Sequence, residues 1–561
     1  MKMFNSRLIW LFVLCVFVLT GKVPAQVIPD STVKKINDLF EPLNKIYGPG
    51  AAVGIVRNDS LIFSKGYGMA NLEYTIPNSP ETIFHMASVS KQFTAFSIML
   101  LAKQNKLKLD DDIRKYLTWF PNLNEKITIR NLLNHTSGIR DQWQLLAIQG
   151  TRLDDVITQE HIIKIISRQQ ALNFKPGEAN SYCNSNFTLL AEIVKSISGQ
   201  SLRKFTDSTI FKPLGMNNTH FHDDYTEIVK NRSYSYTKKD STHFENSILS
   251  YSNVGATSLF TNVNDMSKWI SNFYDHKVGD QVDIDLLTQK TKLRNGKELN
   301  YAAGIISDTY KGWRQFSHGG RDAGFRTFIT AFPDLRMGVI VFSNVGDYNP
   351  TDKALQIASF FITDSTKQIT ADKEVKKDSA ALSKKDSLSL SSYIGSYISE
   401  EGIALKLEIK NSRLHYLVGD QSYLMRKDST GVYSMFYAPN IKFDFNNRSN
   451  DKGIVIITPD RNYYLKKYAN ALLNDKALQA YTGRYYSQEL DCSYTIVLKD
   501  HHLILTNNKY NDTPLTLAGP DHLLDDFWWM NHLMIKRNKL QQVTGFEVNS
   551  DRVMHLAFNK F

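Results

Sequence analysis

Ser88 and Lys91 stand three residues apart in the stretch FHMASVSKQFTA (Phe84–Ala95), where a strand-like region gives way to the helical apolar spacing of Phe93, Phe96, Leu100 and Leu101. One turn of helix stacks two such side chains. A serine hydroxyl is a weak nucleophile at neutral pH unless a base lies within hydrogen-bond reach, and a lysine amine is that base only when burial keeps it neutral. The pair alone does not choose its place. The same S-x-x-K spacing occurs at Ser31/Lys34, Ser201/Lys204, Ser235/Lys238 and Ser449/Lys452.

Two further stretches carry chemical side chains. In FKPGEANSYCNSNFTLLAEIVKSISGQ (Phe174–Gln200), Tyr182 and Asn184 flank Cys183 where a Pro-Gly turn leads into a helical pattern. Tyr182 can relay a proton between nucleophile and leaving group, and Asn184 can offer a substrate amide both a donor and an acceptor. A buried tyrosine with a satisfied hydroxyl and an asparagine helix cap fit the same residues. In FSHGGRDAGFRTFITAFPDLRMGVIVFSN (Phe316–Asn344), His318-Gly319-Gly320 opens a hairpin whose strands run through Phe325–Phe332 and Gly338–Phe342. Glycines there let a substrate approach backbone N–H groups that face a developing oxyanion, although a Gly-rich turn reads the same way. His135, in the loop NHTSGI, reads as a structural hydrogen-bond partner.

The elements that must position these residues are ordinary globular ones. The chain has 561 residues, 42% hydrophobic and 22% charged, too long for one core. Thr32–Tyr47 has helical spacing, and Ala51–Val56 with Leu61–Phe63 flank Asn58-Asp59 as a hairpin. Lys2 and Arg7, the apolar run Leu8–Leu19 and the small-residue end at Ala25 predict a cleaved secretory leader over residues 1–25, hence a periplasmic or secreted bacterial protein. Cys15 lies within the apolar run without small residues before it, which argues against a lipid-modified cysteine. Only Cys183 and Cys492 follow the leader, too few for a disulfide framework. The formal charge of +11 comes from Lys and Arg mixed with acids along the chain, without the basic stripe and interleaved aromatics of a nucleic-acid binder.

S-x-x-K at Ser88/Lys91, Y-x-N at Tyr182/Asn184 and H-x-G at His318/Gly320, in this order, resemble the penicillin-recognising serine hydrolases related to class C β-lactamases, a family that includes D-alanyl-D-alanine carboxypeptidases, D-aminopeptidases and esterases. ITIRNLLNHTSGI (Ile127–Ile139), IFKPLGMNNTHF (Ile210–Phe221) and SNVGATSLFTNVNDMSKWI (Ser252–Ile270) add to the likeness. The resemblance implies an α/β fold, a three-layer sandwich with an antiparallel sheet, over residues 26–365. It implies an acyl-enzyme on Ser88, proton transfers shared by Lys91 and Tyr182, and a substrate amide oriented by Asn184. His318 would take the place of the lysine in the K-T-G form of the third motif, and the N–H groups of Ser88 and Arg321 would form the oxyanion hole. No metal or cofactor is implied. H-G-G in place of K-T-G is similar to the peptidase and esterase branches more than to dedicated class C β-lactamases. Cys183, in the middle of Y-x-N, reads as a small buried hydrophobe. Arg321 and Arg326 could bind a substrate carboxylate, and Arg321 could equally pair with Asp322.

Beyond a Lys/Asp/Ser-rich linker at residues 366–390, a repeat appears. Tyr393-Ile-Gly-Ser-Tyr397 and the alternating run after it match Tyr481-Thr-Gly-Arg-Tyr485 and its run, which predicts two small antiparallel β-barrels over 391–470 and 476–561. This layout resembles the D-aminopeptidase branch, in which one barrel lends a loop to the active site. In DDFWWMNH (Asp525–His532), one of Trp528 and Trp529 reads as core and the other stays open. The expected activity is peptide or amide hydrolysis on D-amino-acid-containing peptides, with small peptides, esters, β-lactams and cell-wall fragments as the candidate partners. An esterase or weak β-lactamase using the same Ser88 is the alternative within the chemistry. A slowly turning over penicillin-binding sensor is the alternative outside it. The sequence leaves the oligomeric state open.

Overall fold

Alternating apolar residues in the strand-forming runs put helices on both faces of one sheet. The computed structural model describes residues 28–240, 243–362, 391–400, 402–418, 421–427, 432–435, 441–445, 453–458, 462–469, 473–519 and 521–561; the expected leader, the expected linker and the Ser449/Lys452 pair lie outside them. The first helix, α1 (Asp30–Phe40), is shorter than its apolar spacing predicts. Pro42 has no N–H to extend the ladder, a single 3-10 turn (Glu41–Leu43) follows, and Ile46 and Tyr47 end exposed. Strands β1 (Ala51–Arg57) and β2 (Ser60–Tyr67) form the expected hairpin. Asn58 and Asp59 both take positive φ (48° and 65°), the primed turn that matches strand twist.

The chain then runs through β3 (Phe84–His85), α2 (Lys91–Lys103), α3 (Gln142–Gln149), α4 (Asn184–Ser198), β4 (His220–Phe221), β5 (Leu259–Thr261) and α5 (Val263–Asp275). It closes the sheet with β6 (Ile306–Tyr310), β7 (Trp313–Asp322), β8 (Phe325–Phe332) and β9 (Met337–Ser343), and covers it with α6 (Pro350–Ser359). The strand order is β6-β7-β8-β9-β1-β2, and every pair is antiparallel. Ala51, Val53 and Ile55 point with Val339 and Val341 towards α1 and α6, while Ala52, Ile340 and Phe342 point into the larger helical layer. That period of two makes the three layers. Gly54 and Gly338 let α5 lie close on the sheet, because a Cβ at either would come within 2.4 Å of Val263 or Ile270.

The two C-terminal repeats are closed eight-stranded antiparallel barrels, one from β10 (Gly395–Ser399) to β17 (Asn462–Tyr468), the other from β18 (Gly483–Ser487) to β25 (Val553–Lys560). The repeated Y-x-G-x-Y does the same work in each. Tyr397 Oη donates to the Tyr393 carbonyl (3.0 Å) and Tyr485 Oη to the Tyr481 carbonyl (2.5 Å), which locks the entry to the first strand. The glycine between them takes positive φ, and a Cβ there would meet the last strand's Lys467 or Lys560. The second barrel shares one continuous core with the helical layer of the first domain, whereas the first barrel has a core of its own.

Candidate active site

Ser88 sits in a 3-10 turn (Ala87–Ser90) that runs directly into α2. Ala87, just before it, is held at φ 48°, a conformation costly for a residue with a Cβ and of the kind that collects at functional sites. The turn is pinned from the sheet side. Thr327 Oγ1 donates to the Met86 carbonyl (2.9 Å), and Gly320 faces the same carbonyl with room for no side chain, since a Cβ would lie 2.3 Å from it. Gly320 therefore serves the approach of β7 to the nucleophile turn, where the sequence suggested only an approach of substrate to the strand. Gly319 is unconstrained in this way; its nearest neighbours would be 3.7 Å from a Cβ.

Lys91 is fully buried, and its Nζ has three partners: Ser88 Oγ at 3.1 Å, Asn184 Oδ1 at 2.9 Å and the Ala256 carbonyl at 2.8 Å. A neutral amine has two N–H bonds and one lone pair. Asn184 and Ala256 accept the two, which leaves the lone pair for the Ser88 hydroxyl. Burial pushes the Lys91 ammonium down to about 7; Asp322 and Asp141 oppose the shift and Arg552 adds to it. Tyr182 packs its ring 4.8 Å from Lys91 Nζ. Burial raises its phenol above the ordinary value, with the Ser88 hydroxyl and the Arg552 charge acting the other way, and its Oη makes no hydrogen bond of full geometry in the resting site.

Asn184 opens α4, and both ends of its amide are set by the site. Oδ1 accepts from Lys91, while the backbone N–H and Nδ2 donate to Asp141 Oδ2 (2.7 and 2.8 Å). It is not a side-chain cap; Cys183 holds that position, and its buried Sγ lies against the Arg140 carbonyl with its thiol pushed up to about 12. His318 is buried with both ring nitrogens occupied. Nδ1 donates to the Gly319 carbonyl (2.6 Å) and Nε2 accepts from Tyr301 Oη (3.0 Å). Burial and the Lys91 charge push it down to about 3, so it is a neutral ring where a K-T-G lysine is a cation. His135 is structural: its Nδ1 accepts from the Cys183 N–H (3.1 Å) and its ring packs against Tyr182.

The cavity above Ser88 measures about 1160 Å³. Trp143 stacked on Tyr251 (4.7 Å) forms an apolar wall, and Asp141, Arg321, Arg326 and Arg552 supply charge. Arg321 is exposed on the rim. Its neighbour Asp322 is bonded to His85 Nε2 (2.9 Å) and Thr257 Oγ1 rather than to Arg321, the local pair that the sequence offered as an equal alternative. Arg326 donates to the carbonyls of Ala323 and Phe325, and burial lowers it to about 10. Of the rival pairs in the described residues, Ser31 and Lys34 lie on α1, Ser201 caps the helix Leu202–Thr206 and Ser235 donates to the Ser247 carbonyl; none of these serines and lysines lines the cavity.

Sequence reasoning missed five contributors. Asp141 was readable only as the N-cap of α3, which it also is. Tyr301, which fixes His318, gave no signal. His85 and Thr257 are brought together by the pairing of β3 with β5. Arg552 comes from the turn between the last two strands of the second barrel, where it lies over the Tyr182 ring at 5.2 Å. Of the two tryptophans, Trp529 packs on Phe527 and Tyr510, and Trp528 is half exposed on the cavity wall.

Residues 36–361 match the family described as Beta-lactamase. The chain belongs to that family. It is 24% identical to penicillin-binding protein 4* of Bacillus subtilis over 425 residues, 73% of this chain and 93% of that one, and 26% identical to a D-aminopeptidase of Brucella melitensis over 483 residues, 84% and 87% of the two chains. Among solved structures it is similar to the octameric penicillin-binding protein homologue from Pyrococcus abyssi (TM-score 0.54, 22% identity, 86% of this chain and 99% of that one). It is likewise similar to the D-amino acid amidase from Ochrobactrum anthropi SV3 (TM-score 0.51, 18% identity, 59% and 99%). These likenesses carry the fold, and with the family they make the protein a serine hydrolase of this group.

Proposed function

We propose that the protein is an exported serine amidohydrolase that forms an acyl-enzyme on Ser88 with D-amino-acid-containing peptides or amides. The observation that carries this reading is the three-way contact of Lys91, with its ammonium lowered to about 7, which aims a free lone pair at Ser88 Oγ. Lys91 takes the Ser88 proton as Oγ attacks the carbonyl carbon. The tetrahedral oxyanion forms beside the Ser88 turn at the head of α2, where backbone N–H groups favour negative charge. As the C–N bond breaks, the proton passes through the Tyr182 hydroxyl to the departing amine. Water then adds to the acyl carbon, gives its proton to the same relay, and Ser88 Oγ leaves with a proton restored. Asn184 keeps a second amide hydrogen beyond the one given to Asp141, available to a substrate carbonyl.

The amide reading over the lactam rests on His318. A neutral ring tied to Tyr301 and Gly319 offers no cation for the carboxylate that a β-lactam carries beside its ring. D-aminopeptidase and D-amino acid amidase among the similar proteins support the same class. Export rests on the leader pattern, and amino-terminal sequencing of the protein recovered outside the cytoplasm should begin near residue 26. The deciding experiment is intact-mass spectrometry of wild type and Ser88→Ala with a penicillin, a D-alanyl peptide, a D-amino acid amide and a p-nitrophenyl ester, with products followed in parallel. A mass increment on wild type alone, with release of the D-amino acid, is expected. Ester turnover without amide cleavage would make the protein an esterase, and a lasting penicillin adduct without turnover a sensor.

A further inference from the structure

A second cluster of chemical side chains lies at the outer strand β4, across β5 from β3, and lines a cavity other than the one above Ser88. The sequence HFHDDYTE (His220–Glu227) carries a His-x-His whose alternate residues point to one face of β4, with a glutamate returning five residues later. His220 Nε2 and His222 Nδ1 are 3.5 Å apart, His220 Nε2 and Glu227 Oε2 3.8 Å, and His222 Nδ1 and Glu227 Oε2 3.4 Å. The point equidistant from those three atoms lies about 2.1 Å from each, the bond length of zinc to imidazole nitrogen and carboxylate oxygen. These contacts are long for good hydrogen bonds, and two imidazole nitrogens face each other without an intervening proton acceptor of better geometry.

The surroundings suit an ion. His222 is 1% exposed, with its ring stacked on Phe260 (4.4 Å) and its Nε2 buried without a partner, so Nδ1 is the atom through which that ring can be satisfied. Arg203 grips Glu227 from outside with two bonds of 2.7 Å and Asp223 with one of 2.9 Å, which fixes the carboxylate that would ligate. The other charged or titratable groups near the cluster include Arg232, which lies over Phe260, Asp224 and His85. His220, Asp223 and Glu227 also line a cavity of about 590 Å³, so a fourth position is open to water or to Asp223.

We infer that His220, His222 and Glu227 form a binding site for a divalent first-row cation, zinc by its donor set of two imidazoles and one carboxylate. The ion would close the His222–Glu227 loop back onto β4, the outer strand of the sheet β3-β5-β4, whose first strand runs straight into the Ser88 turn. Its role is therefore to hold that loop on the outer strand of the sheet, outside the acyl-transfer chemistry itself. The test uses the full mature chain, stripped with EDTA and titrated with zinc chloride, with magnesium and calcium chlorides as controls. One zinc per chain is expected by calorimetry and elemental analysis, with two imidazoles in the zinc-edge absorption spectrum and a rise in Tm that magnesium and calcium do not give. His220→Gln, at a half-buried position, should keep the EDTA-state Tm of wild type and weaken zinc binding by at least about tenfold. The double variant H220Q/E227Q should lose the stoichiometric zinc. No saturable zinc binding by wild type below about 0.1 mM, or unchanged binding by H220Q, would overturn the assignment.

Discussion

In the proposed mechanism Lys91 sets the pH dependence of the reaction, because only its free base can take the Ser88 proton. With the ammonium lowered to about 7, kcat/KM should climb as pH passes through that value and level above it. The neighbours give the assignment a sign test. Arg552 disfavours the Lys91 charge and Asp322 favours it. Arg552→Gln should therefore move the rising limb to higher pH and Asp322→Asn to lower pH, both read from kcat/KM profiles on one amide substrate. Equal limbs in the two variants would mean that another group titrates. Lys91→Arg should lose at least about a thousand-fold, since a guanidinium stays charged and cannot act as the base. That Ser88, Lys91 and Tyr182 come together was legible in sequence because the chemistry proposed for them demands particular residue types at particular spacings. Asp141 and Tyr301 were not, because each acts by orienting another side chain across a distance in sequence, and a lone Asp or Tyr in a loop has many ordinary uses.

At the scale of elements, the close approach of β7 to the turn before α2 decides whether Ser88 is aimed. Gly320→Ala would drive a methyl into the Met86 carbonyl and Thr327, displacing the turn, and should cost kcat/KM about a hundred-fold, with far-ultraviolet circular dichroism unchanged. Gly319→Ala, one residue away, meets only ordinary contacts and should keep most of the activity. Comparable losses in both would show that the strand, rather than the one contact, matters. The short apolar runs of β1, β8 and β9 and the Asn58-Asp59 turn made the sheet legible, and the repeated Y-x-G-x-Y with its alternating runs made the barrels legible, because composition, periodicity and turn chemistry are local. The early end of α1 at Pro42 and the π-helical segment Asp207–Phe211 depend on details that apolar spacing does not encode. Asp525 marks a further local cost. Burial raises its carboxyl to about 7, with Oδ2 unpartnered while Oδ1 accepts from the Phe527 N–H. Its folded pKa lies above the unfolded one, so stability grows as pH falls from about 7 towards the unfolded carboxylate value and the charged form is a burden above it. Asp525→Asn should raise Tm at pH 8, and the gain should shrink as the pH is lowered through 7; a constant gain would point to a cause other than the buried charge.

At the scale of the whole molecule, the two barrels differ in how they are joined to the catalytic domain. Arg140, wholly buried, binds Glu489 of the second barrel at 2.6 Å and donates to the carbonyls of Met554 and His555, next to the turn that delivers Arg552. Glu489 also accepts from the Gln170 N–H (2.8 Å), Tyr494 Oη donates to the Ile148 carbonyl (2.8 Å), and Gln144 Nε2 to that of Ser550 (2.6 Å). Apolar residues from Leu478 to Phe558 continue the core of the helical layer, so the domain and this barrel should unfold together. The first barrel, with Tyr397, Leu407, Phe443 and Leu465 in a core of its own, should unfold as a separate unit. Calorimetry of the mature protein should then show two transitions, and activity should vanish with the one that contains the second barrel. Glu489→Ala leaves the Arg140 charge buried and uncompensated, a loss of about 3–5 kcal/mol, and should lower that transition alone. Its effect on the chemistry should appear at temperatures well below unfolding as a rising limb moved to higher pH, because loosening the Met554–His555 attachment withdraws Arg552 from Lys91. A single transition displaced as a whole, or a limb that stays in place while Tm falls, would show that the second barrel stabilises the catalytic domain without tuning it.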